Sequence, residues 1–180
     1  MGEIKSTLDL VMEKTKHLSQ SSEEKQAQRR KDIENRLRGM LQKYQDKVIS
    51  LEHLQRDYEG LKAEFNLPNH TFLAGQVIDR LDPDGDNRAL FEALDHCCNL
   101  DSSGLANLIN EYQATVQTAA GNRREVVKET LAQKYKIAGD AVVPNLAADE
   151  DWQHEARKLV SVVEEKLSRE KERLAAKAKN

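Results

Sequence analysis

Cysteine is nearly absent from this sequence. The only two thiols, Cys97 and Cys98, are adjacent. Neighbouring cysteines close a strained ring and one pair cannot staple a fold, so a disulfide scaffold is excluded and a reducing compartment, the cytoplasm, is the simplest expectation. Proline occurs only at positions 68, 83 and 144, which leaves long stretches free to be helical. Aromatics make up 4% of the residues and mean hydropathy is -0.75, too polar for a large spherical core. No stretch approaches the roughly 20 apolar residues of a membrane span. Met1 to Leu10 has no basic region leading into an apolar run, so no secretory leader is expected. A basic excess is missing as well: the net charge is -3, which disfavours a generic nucleic-acid binder. Residues 66–150 hold 7 basic and 13 acidic side chains, whereas the flanks are charge-dense and nearly balanced, as solvated helix faces are.

What the chain does contain is amphipathic periodicity. Ile4, Leu8, Val11, Met12 and Thr15 share one face of a helix expected from Glu3 to about Leu18. Ser21 or Ser22 then caps a second helix, with Glu24 placed for a capping box. That helix is expected to run unbroken from Glu23 to Phe65. Leu37, Tyr44, Leu51, Tyr58 and Phe65 recur every seven residues from a weak start at Arg30, and Ile33, Met40, Lys47, Leu54 and Leu61 form the paired series. Lys47 interrupts this seam, and Val48 is the residue that would replace it. Such a rod would be about 60 Å long.

Asn66-Leu67-Pro68-Asn69 stops it. A helix over about Thr71 to Leu81, a turn at Asp82-Pro83-Asp84-Gly85-Asp86, and helices through Leu90–Cys98, Leu105–Val116 and Val126–Tyr135 follow, with Gly121-Asn122 expected to separate the last two. Ile137 to Leu146 reads as extended and partly buried. Asp149 or Asp151 should begin a final helix whose stripe includes Ala156, Val160, Val163, Leu167 and Leu174. The expected fold is all-α: an elongated bundle with two long antiparallel coiled-coil-like helices and a compact head. Residues 1–65 form the N-terminal helix and long arm, residues 66–148 the head, and residues 149–180 a helix packed back on the arm.

Local chemistry is sparse. Asp82, Asp84 and Asp86 match the opening of a calcium loop, but Asn87 and Ala93 stand where that loop needs glycine and a bidentate glutamate. His96 and Cys98 are soft metal ligands, yet with Cys97 they point in different directions around a helix and lack a CxxC partner. Arg123-Arg124 near Asn122 could meet an anion at a helix start. Gly2 with Ser6 fits the short myristoylation pattern. No nucleotide-binding loop, HExxH or GxSxG is present, and no cofactor is implied.

The leading expectation is therefore a helical structural or protein-interaction module, oligomeric or bound to another helical protein, rather than an enzyme. Its contact residues would be Leu37, Met40, Tyr44, Leu51, Leu54, Tyr58, Leu61, Val160, Val163 and Leu167. A metal-binding or enzymatic head around His96 and Cys98, and a nucleic-acid-associated protein using the Arg29–Arg38 cluster, are the alternatives.

Overall fold

A computed structural model describes residues 21–179. The expected first helix and Gly2 lie outside them. Six α-helices pack together among the described residues: α1 (Ser22–Gln45), α2 (Leu51–Phe65), α3 (Thr71–Ile78), α4 (Arg88–Cys97), α5 (Ser103–Thr130) and α6 (Glu150–Lys177).

Helix α1 starts with the expected capping box. The Ser21 hydroxyl accepts from the Glu24 amide at 3.1 Å, and the Glu24 carboxylate accepts from the Ser21 amide at 2.7 Å. The helix then ends at Gln45, so the unbroken rod to Phe65 does not form. Lys47 adopts a left-handed backbone (φ 58), and Ser50 caps α2 by accepting from the His53 amide. The break turns the chain back: Arg36 pairs with Glu64 at 2.6 Å, and the Arg29 guanidinium donates to the carbonyl of Phe65. The two halves of the seam thus face each other as an antiparallel hairpin. Val48, the residue that would replace Lys47 in a continuous seam, is instead 70% exposed. A left-handed lysine costs about 1–2 kcal/mol relative to glycine-like freedom. Lys47→Gly is therefore expected to raise the urea midpoint of unfolding, by the equivalent of about 1 kcal/mol; a lowered midpoint would mean that the turn is not formed this way.

Asn66, left-handed at φ 50, closes α2 where the Asn-Leu-Pro-Asn run indicated. Helix α3 lies along α1 in the same direction. Arg30 stacks over Phe72, and Arg80 donates to Gln45 at 2.6 Å and to the Arg38 carbonyl at 3.0 Å. The hydroxyl of Tyr44 donates to Glu92 at 2.7 Å and joins α1 to α4.

Helix α5 passes through Gly121-Asn122 without interruption, then widens into a π-helical turn at Leu131–Tyr135 that Lys136 ends in the left-handed region (φ 59). Two expected helices are thus one. The following segment carries no strand; only Pro144 and Leu146 in it are buried. Asp149 caps α6 by accepting from the Trp152 amide at 2.7 Å. Helix α6 does not return along α1 and α2 as a coiled-coil partner. It runs antiparallel to α5 and also packs on α3. Arg123 clasps Asp149 at one end of the α5–α6 pair, and Glu170 approaches Gly104 near the other. The Ala178 carbonyl accepts from the Thr71 hydroxyl at 3.1 Å, which anchors the end of α6 to the start of α3.

Each of the six α-helices therefore buries apolar residues against others of the chain. Leu37, Leu41, Leu54, Tyr58, Leu73, Leu94, Leu105 and Leu174 have no solvent exposure or almost none. Short helices folding over one another give shorter stripes than a two-helix coil, and each stripe meets two or three neighbours.

Candidate functional site

The acidic turn is held by protein donors. Asn87, buried between the two limbs, donates from Nδ2 to the carbonyls of Asp82 (2.6 Å) and Gly85 (3.2 Å) and accepts from the Asp82 amide. Asp82 accepts from the Asp84 amide, Asp84 accepts from the Tyr112 hydroxyl at 3.0 Å, and Asp86 is clasped by Arg88. The hydrogen bonds from Arg88 hold the Asp86 carboxyl far below its usual range. Each carboxylate thus serves a different donor, which is how a turn is stapled to α4 and α5 rather than how six oxygens converge on a cation.

His96 is exposed, whereas Cys97 and Cys98 are buried. Burial pushes the Cys97 thiol up to about 11, with Glu59 adding to the shift, and pushes Cys98 up to about 12, with Cys97 adding. At neutral pH this leaves at least roughly 100-fold less thiolate on each than an ordinary cysteine has. Native protein is accordingly expected to react with a disulfide reagent at least about 100-fold more slowly than protein in denaturant; equal rates would show that the thiols are open. No three histidine, cysteine, aspartate or glutamate side chains converge as metal ligands among the described residues.

The basic cluster on α1 is partly engaged by the fold. Arg29 and Arg36 stack on Phe65, Arg30 pairs with Glu34 at 3.0 Å, and Arg36 pairs with Glu64. Arg123 is likewise occupied. It is bidentate to Asp149 at 2.9 Å and reaches Asp151 at 2.7 Å. These bonds, together with the Trp152 amide, lower the Asp149 carboxyl.

The residues chosen as contacts from the heptad pattern are core or core-edge. Leu37, Tyr44, Leu54, Tyr58, Leu61, Val163 and Leu167 are buried, and Met40, Leu51 and Val160 pack against them. Apolar surface remains elsewhere, beyond α5 at Tyr135 and Ile137 and along the outer seam between α5 and α6. A groove of about 160 Å³ is lined there by Leu108, Tyr112, Thr115, Leu159 and Val162. A wider, shallow one adjoins it through Thr115 and continues past Ala119 and Val126. Val162 is 58% exposed and Val126 50%. Leu108, Thr115, Ala119 and Val126 fall at steps of seven, four and seven, so they share a side of α5. The exposed Val48 and Val143 sit singly in loops and form no comparable strip. The sequence carried one signal for this face. Val162 adjoins Val163, which makes the α6 stripe wider than a single buried line requires.

No helix among the described residues is long and apolar enough to cross a membrane. Compared with family models, with curated proteins and with solved structures, the chain matches none.

Proposed function

We propose that this chain is a helical protein-interaction module that self-associates or engages another helical protein, and that it does so through the outer α5–α6 face. One observation carries this reading. An apolar strip of Leu108, Leu159 and Val162, with Val126 further along the same side of α5 beyond Thr115 and Ala119, remains in contact with solvent on two long helices whose opposite sides are anchored in the core. Covering an exposed valine or leucine fully is worth roughly 1.5–3 kcal/mol. A partner helix laid in the seam would cover several such side chains at once, in the manner of an amphipathic helix in a groove. The face is pre-formed by packing, so little ordering opposes docking. Two buried, reduced thiols fit a cytoplasmic setting.

Site-specific photo-crosslinking tests the reading. A photoreactive amino acid placed at Val162 or Val126 in the full chain is expected to give discrete adducts in cells, and one placed at exposed Gln55 on α2 is not. Absence of any discrete adduct at both valines would remove the α5–α6 face as the docking surface.

A further inference from the structure

The α6 side of this face carries opposite charges at its two ends. Glu155 borders the wider groove and Lys166 the narrower one. Both side chains are exposed, and no ion pair joins either to another described residue. Glu155 lies as far before Leu159 as Lys166 lies after Val162. The steps between the four are of three and four residues, so all four share one face of the helix. Read along α6 the strip runs acid, apolar, apolar, base. Read backwards it is its own complement.

We infer that the occupant of the groove is a second copy of this chain, docked antiparallel with α6 on α6. This rests on the reading of the face as a protein-docking surface. A two-fold axis crossing the strip midway between Leu159 and Val162 sets Glu155 against the partner's Lys166 and Leu159 against the partner's Val162, and repeats both contacts by symmetry. A parallel arrangement would place Glu155 on the partner's Glu155, and like charges in register are disfavoured. Charge therefore fixes the direction, and the two apolar pairs at the centre provide the attraction. On the α5 side the short side chains of Thr115 and Ala119 flank the middle of the strip, with Glu111 beside its Lys166 end and Arg123, engaged by Asp149 and Asp151, beside its Glu155 end.

Sedimentation of the full chain across micromolar concentrations tests this. Wild type is expected to show the mass of two chains. Val162→Asp is expected to be single at the same concentrations while keeping its helical circular dichroism, because more than half of Val162 is exposed. Glu155→Lys and Lys166→Glu alone each juxtapose like charges twice and are expected to weaken association roughly tenfold. The double variant Glu155→Lys/Lys166→Glu restores opposite charges and is expected to regain wild-type association. A single-chain mass for wild type overturns the antiparallel pairing, and so does a double variant no better than the single ones. For a single-chain wild type, the dye anilinonaphthalene sulfonate separates two cases. Brightening on wild type but not on Val162→Asp leaves the docking face standing with another partner. No brightening removes the face along with the pairing.

Discussion

Truncation of Tyr58 to alanine is expected to destabilise the chain by about 3–5 kcal/mol, the range for removing a fully buried aromatic ring from a packed core. Tyr58 has no solvent exposure. Its ring meets that of His70 with centroids 5.6 Å apart, the Lys62 ammonium lies 5.9 Å from its centroid, and it projects from α2 toward the residues that start α3. Removing it opens a void where α2 and α3 join, and neighbours fixed by their own helices relax only partly. Domains retain about 5–15 kcal/mol of net stability, so this one change removes a large fraction. Tyr58→Phe should behave very differently. The hydroxyl donates to the Asn69 carbonyl across 3.4 Å, a long bond, and its loss is expected to cost no more than about 1 kcal/mol. Urea unfolding of the two variants, followed by circular dichroism, checks the contrast. Equal costs would show that the hydroxyl rather than the ring holds the junction. The phenol has a further signature. Burial raises it above its ordinary 10.0, so the stabilising neutral form is fully present below pH 10 and is lost as pH rises toward the folded-state value. Alkaline destabilisation above about pH 10 is therefore expected in wild type and should be smaller in Tyr58→Phe.

Tyr58 also shows what was legible in the sequence and what was not. The seven-residue pattern selected it, with Leu37, Tyr44, Leu54 and Leu61, as a residue facing a packed surface, and all five are buried. The surface itself was misassigned. A heptad pattern registers that a stripe is covered and not by which helix. When a helix is cut and folded back, both halves keep their phase and the pattern survives the break. Nothing at the break announces itself, because the left-handed position is filled by Lys47 rather than by glycine or asparagine. Ser50 caps α2 without a glutamate three residues on; His53 stands there instead. Signals that are purely local fared better. The Ser21–Glu24 box, the acidic turn before α4 and the Asp149 cap depend on side chains bonding to their own neighbouring backbone, and the Asn66 stop on a left-handed turn of the backbone itself. The docking face was hardest to read. It is defined by which apolar residues the fold leaves uncovered, and Leu159 and Val162 differ from Val163 only in what lies opposite them.

Gly121 shows the reverse error, a break expected where the helix continues, and it offers the sharpest test of that continuity. Glycine disfavours a helix interior by roughly 0.5–1 kcal/mol relative to alanine. A Cβ added at Gly121 would meet nothing within 4 Å. Gly121→Ala is therefore expected to stabilise the protein by up to about 1 kcal/mol. Gly121→Pro should cost about 3 kcal/mol or more, since it deletes an interior hydrogen bond and drives the ring into the preceding turn. The kink would fall next to buried Ala120 and shortly before Arg123, so the clasp on Asp149 that fastens the start of α6 would be strained too. Beyond the kink, Val126 would swing out of line with Thr115 and Ala119, and the α5 side of the docking strip would be split. Paired measurements of unfolding midpoint distinguish the two geometries. A helix through Gly121-Asn122 requires alanine to raise the midpoint and proline to lower it steeply. A chain that bends there would be indifferent to proline and would gain nothing from alanine.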